Sequence, residues 1–125
     1  MARTNVPVVP LTLNSGAVET AGVAIDVANG HTITPGRFNK LIVEILYTVA
    51  PASNTIFRAG VLPAPSLEAG LGDVTVTGAT GARWVFGPFT GGRFAQAGGA
   101  LFLDFAATTA GTIWAYEAQK PTNLQ

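Results

Sequence analysis

The chain contains no cysteine, which removes disulfides, thiolate metal ligands and a cysteine nucleophile together. It has one histidine, His31. A zinc site or a Ser/His/Asp triad would have to be built on that single ring, and no GxSxG elbow supplies the serine. Charge is equally scarce: charged residues make up 11% of the 125, where an ordinary soluble domain carries about a quarter. The basic residues Arg3, Arg37, Lys40, Arg58, Arg83, Arg93 and Lys120 are scattered without a run. Nucleic-acid affinity comes from clustered cations that displace counterions, so no nucleic-acid partner is expected. No apolar run approaches the roughly 20 residues of a membrane span. Pro7 and Pro10 interrupt the opening MARTNVPVVPLTL before a signal-type apolar stretch develops. The chain is therefore expected to be made and to stay in solution, with no membrane partner and no cofactor.

What is present is apolar and turn-rich. Hydrophobic residues are 48% of the chain, beside 15 glycines and 8 prolines. The length fits one domain able to bury a core. Seven basic side chains balance seven acidic ones, and a protein so weakly charged has little electrostatic protection against association. A surface normally covered by other protein is the expected consequence. The alternative is a compact monomer whose apolar content is mostly Ala and Val.

Residues 38–49, FNKLIVEILYTV, carry the clearest pattern. Leu41, Val43, Ile45, Tyr47 and Val49 recur at the strand period of two, and the intervening Ile42 and Leu46 are apolar too, broken by Lys40 and Glu44. The β-branched and aromatic content favours a strand over a helix, so this segment is expected in the interior of a sandwich. Residues 22–28, 31–34, 73–77, 83–86, 100–105 and 112–117 read as further strands, separated by Asn29-Gly30, Pro35-Gly36 and other turn signals. Residues 55–62 read as the hairpin partner of the central strand, and residues 89–94, FTGGRF, as a strand bulged at the paired glycines. The expected fold is an all-β, single-domain, jelly-roll-like β-sandwich of about eight or nine short strands. Residues 11–118 form the sandwich, residues 119–125 a polar tail, and residues 1–10 an extended arm, shaped by Pro7 and Pro10. The arm either pads a sheet edge or reaches to a neighbour; on the second reading, removing residues 2–10 leaves the β fold intact.

Catalytic chemistry finds little support. His31 beside Asn29-Gly30 reads as a turn residue. Glu44 and Asp104 are the carboxylates that adjacent strands could bring together, but each alternates with apolar neighbours as an outward strand face does, and a glycosidase needs a facing pair across a cleft. The glycine turns GATG and FTGG lack the lysine of a phosphate loop. The aromatic residues of the last third serve either as core or, for Trp84 or Trp114 with Arg83 or Arg93, as an interface patch, since Trp and Arg are enriched at binding hot spots; a sugar-stacking platform is a third reading. Proline-containing exposed segments lose little entropy on docking. The candidate interface residues are therefore Arg3, Val6, Pro7 and Val9 in the arm, Pro63, Pro65, Leu67 and Leu71 in the loop PAPSLEAGLG, and Trp84 and Arg93.

Taken in order, the blocks NGHTITPGRFNKLIVEI, FRAGVLPAPSLEAGLGD, TGARWVFGPF, GRFAQAGGALFLDF and GTIWAYE resemble the capsid decoration, or cement, proteins of tailed bacteriophages. The resemblance runs from about Asn29 to Glu117 and lies in the order of turn and strand blocks. It implies a β fold without enzymatic activity, produced in the host cytoplasm and placed on the capsid exterior of the virion. It further implies a homotrimer that binds the major capsid protein and stabilises contacts between its subunits. Phage minor tail proteins and receptor- or carbohydrate-binding modules use similar β units, and that alternative stands beside it.

Overall fold

The alternation read in residues 38–49 becomes a strand, β5 (Leu41–Val49), entered through a 3-10 turn at Phe38–Lys40. The computed structural model of the chain describes residues 2–11, 16, 21–49, 54–61, 72–77, 81–96 and 98–118. Before β5 come β1 (Thr4–Asn5), β2 (Val8–Leu11), β3 (Val23–Ala24) and β4 (His31–Ile33). After it come β6 (Asn54–Phe57), β7 (Val74–Thr77), β8 (Arg83–Phe86), β9 (Leu101–Phe105) and β10 (Ala110–Ala118). The first sheet runs β1-β4-β9-β6-β7; the second runs β2-β10-β5-β8, with β3 also paired to β10. From β4 to β10 the chain repeatedly crosses between sheets, and only β6 and β7 follow one another as a paired hairpin. This is the expected all-β, jelly-roll-like sandwich in one domain.

The core lies between the sheets because the period of two sends alternate residues there. From the second sheet come Leu41, Val43, Ile45, Tyr47, Ile113 and Ala115; from the first, Ile33, Phe57, Leu101, Leu103 and Phe105. The phenyl rings of Phe57 and Phe86 meet across the gap at 4.9 Å. Tyr47 and Thr55 share a hydrogen bond of 2.5 Å through the same layer, and burial pushes the Tyr47 phenol up from its ordinary value.

Several expectations are corrected. Strand β6 pairs with β7 and β9 rather than with β5, whose two edges are taken by β10 and β8. The alternation of β6 was legible, but periodicity says which way side chains point and not which strand lies alongside. Residues 91–94 form a single helical turn, Gly91–Phe94, closed by the Ala95 amide on the Gly91 carbonyl; the turn brings Phe94 edge-on to Phe89 at 5.5 Å in the core. His31 is a fully buried strand residue. Glu44 and Asp104 lie in opposite sheets.

Residues 2–11 pad both sheets. Strand β1 pairs in parallel with β4, and β2 in parallel with β10. Between them Val6 enters the core at 1% exposure, so removing residues 2–10 opens one side of the sandwich instead of leaving the fold intact. Residues 62–71, with the candidate loop, and the tail 119–125 lie outside the described residues. Truncating Ile45, which is 0% exposed, to Ala is expected to lower unfolding free energy by about 2–5 kcal/mol, read from denaturant melts with an unchanged slope.

Candidate functional site

The register of the second sheet fixes what its outer face displays. Val43 and Ile45 face the core, and Phe86 and Trp84 opposite them do the same. Glu44, Leu46, Val85 and Arg83 therefore point outward. On β10 the outward set is Thr112, Trp114 and Tyr116, paired with Leu46, Glu44 and Ile42. Strand β2 adds Val9 beside Tyr116 and Leu11 beside Ala118. The result is a contiguous apolar sheet face of Val9, Leu11, Ile42, Leu46, Val85, Trp114 and Tyr116. Val85 is 64% exposed, one of the two large hydrophobic side chains most open to solvent among the described residues.

One ion pair sits in this face. Arg83 Nη1 donates to Glu44 Oε1 at 2.8 Å, and the Arg83 guanidinium lies 4.8 Å from the centre of the Trp114 ring. Trp114 is 6% exposed although it points away from the core. Arg83 covers part of it, and the backbone at Gly22 lies against its indole. Gly22 has φ +79, and a β-carbon there would meet Trp114 Cε2 at 2.8 Å, so any other residue would be strained twice over. Beside it, Val6, Pro7, Gly22, Val23, Ile113 and Trp114 line an apolar cleft of about 120 Å³ at the seam between β2 and β3.

The outer face of the first sheet is its opposite. Asp104 receives Arg3 at 2.7 Å and Arg58 Nε at 2.6 Å, and Arg58 continues to Asp73 at 2.9 Å. Arg3 also lies over the Phe102 ring at 4.2 Å. Burial pushes the Asp104 carboxyl up, but the bonds from Arg3 and Arg58 outweigh it and hold it below the ordinary carboxylate value. The Ala59 amide, and then Arg58, lower Asp73 in the same way. Among the described residues no group of three His, Asp or Glu side chains is placed to hold a metal ion.

Of the candidate interface residues that are described, Val9 alone falls on the apolar face; Trp114 and Arg83, read as an alternative patch, meet there too. Arg3 is held in the first sheet's ion pairs, Val6 is in the core, and Pro7 is exposed at the seam. Trp84 is corrected from a surface candidate to an inward residue: it stacks on Phe86 at 5.9 Å against the core. Arg93 donates to the Gly72 carbonyl at 3.1 Å and lies over Phe94. Pro63, Pro65, Leu67 and Leu71 lie outside the described residues. Ile42, Leu46, Val85 and Tyr116 were missed as surface residues. The signal for two of them was present in the apolar even positions of residues 38–49.

The N-terminal strand is fastened by polar groups that respond to pH. The Asp26 amide donates to His31 Nε2 at 2.8 Å, so that nitrogen carries no proton. Burial lowers the His31 pKa from 6.5, with Arg3 adding to the effect while Asp26 and Asp104 oppose it. The Asp26 carboxylate accepts from Thr4 and Asn29, which hold it at about 2. A histidine lowered on folding contributes stability that is complete above its unfolded value and declines as pH falls below it. Denaturant midpoints are therefore expected to fall between about pH 6.5 and 5, before carboxylates titrate appreciably, and His31→Gln is expected to flatten that slope. Asp26 adds a second contribution to stability, present above its ordinary value of 3.8 and lost as pH falls through about 2. No protein-family model, curated protein or solved structure matches the chain.

Proposed function

We propose that the chain is a non-enzymatic structural protein that docks on other protein through the outer face of its second sheet. In the setting implied by its resemblance, it binds the outside of a tailed-phage capsid and stabilises contacts between major capsid subunits. The observation that carries this reading is the contrast between the two outer faces. One is laced with ion pairs; the other presents Val85, Leu46, Ile42 and Tyr116 around a single Arg–Glu pair. A contiguous exposed apolar patch of this kind marks a protein-interaction surface.

Arg3, Arg58 and Arg83 are each engaged by a carboxylate, which leaves those three less available to phosphates and favours protein over nucleic acid as partner. A sugar-binding role gains nothing from Trp114, whose ring is covered by Arg83 and the Gly22 backbone. The loop bearing Pro63, Pro65, Leu67 and Leu71 remains part of the proposal as a second contact.

Co-sedimentation with expanded capsids of the phage that carries the gene tests the reading. Val85→Glu, with an unchanged circular dichroism spectrum, is expected to weaken occupancy about tenfold, the equivalent of roughly 1.4 kcal/mol. If Val85→Glu and Leu46→Glu pellet as the wild type does, the face does not dock.

A further inference from the structure

We infer that the protein occupying this face is a second copy of the chain, related by a two-fold axis that passes between Glu44 and Arg83. The inference rests on the docking reading above and names the partner at this face: capsid contacts are then made by the pair through its other surfaces, and Val85→Glu lowers occupancy by splitting the pair.

Glu44 lies opposite Val85, and Leu46 opposite Arg83, on neighbouring strands of one face. These four outward side chains form a quadrilateral with the two charges on one diagonal and the two apolar residues on the other. A two-fold axis in the plane of the face, along the Leu46–Val85 diagonal, has a definite consequence. It carries Glu44 onto Arg83 of the partner subunit and Arg83 onto Glu44 of the partner subunit, and sets Leu46 and Val85 against their own counterparts. The patch is thus complementary to itself in charge and in polarity, which is what an isologous interface requires. Because the axis runs diagonally to the strands, the two sheets cross steeply, as in orthogonal sheet packing.

Electrostatics makes a second copy a better fit than an unrelated apolar surface. Arg83 is 43% exposed at its side chain and Glu44 20%. Covering this pair with apolar protein would strip water from both groups and return nothing. A second copy returns one acid and one base, so each ion gains a second counter-ion as it is desolvated. The composition of the whole chain agrees, since zero formal net charge removes long-range repulsion between copies. A three-fold ring would instead need two different complementary patches on each subunit.

Charge exchange tests this without disturbing the core. Glu44→Arg alone sets arginine against arginine twice in the dimer, and Arg83→Glu alone sets glutamate against glutamate twice. In an equimolar mixture, Arg at position 44 meets Glu at position 83 and the native Arg83 meets the native Glu44, so both contacts become attractive. By sedimentation at about 100 µM, well above a micromolar Kd, the wild type is expected at two chain masses. Each variant alone is expected to associate at least about tenfold more weakly, and the mixture to regain two chain masses, with native mass spectrometry finding one of each variant. Circular dichroism checks that both variants are folded, since Arg83 also lies over Trp114. A wild type of one or three chain masses, single variants that associate like the wild type, or a mixture that stays monomeric would each overturn the inference. A monomer whose Val85→Glu variant still loses capsid occupancy removes the dimer and leaves the docking face standing; unchanged occupancy removes both.

Discussion

Strand β5 is hydrogen-bonded along both edges, to β10 and to β8, and it is apolar on both faces. Its edges are used up by the sheet, so everything else it can do is done through side chains. The inward set, Leu41, Val43, Ile45 and Tyr47, is fully buried and receives the first sheet. The outward set places Ile42 and Leu46 either side of Glu44, and with their cross-strand neighbours they make a second apolar layer. A half-buried strand of an antiparallel sheet ordinarily turns a polar face to water. This one is apolar on both faces, of which the inner is satisfied inside the chain.

The few charges are placed accordingly. Arg3, Arg58, Asp73 and Asp104 fasten the first sheet and tie the N-terminal segment across it. With Asp26 and His31 they make the attachment of β1 a polar one, sensitive to acid, while Val6 makes it an apolar one at the same point. Among the described residues, the outer face of the second sheet holds one ion pair, Glu44–Arg83, amid hydrophobic neighbours. The molecule therefore has one outer face laced with ion pairs and one that is mostly apolar.

Much of this was legible in the sequence. The alternation of residues 41–48 and 101–105 carried over directly into buried and outward faces, because the strand period fixes side-chain direction locally. Strand partners were not legible: β6 leaves β5 for the opposite sheet and pairs there with β9, a choice made by core packing between distant segments. The same holds for His31, whose place beside Asn29-Gly30 suggested a turn until the Asp26 amide, five residues upstream, claimed its ring nitrogen. The glycine pair in FTGGRF fits a bulge or a tight helical turn equally, and the Phe89–Phe94 contact decided it. The apolar outer face was half-visible in Ile42 and Leu46. Its full extent needed the register of four strands, which alone shows that Val9, Val85 and Trp114 lie on the same side.

The central claim is that the outer face of the second sheet is covered by protein in the working assembly. Hydroxyl-radical footprinting of the chain, free and in its assembled state, measures this side chain by side chain. The account predicts strong protection on assembly at Val85, Leu46, Ile42 and Tyr116, with Ile56 and Phe102 on the opposite face unchanged. Equal reactivity of Val85 and Leu46 in both states, or protection confined to Ile56 and Phe102, would contradict it.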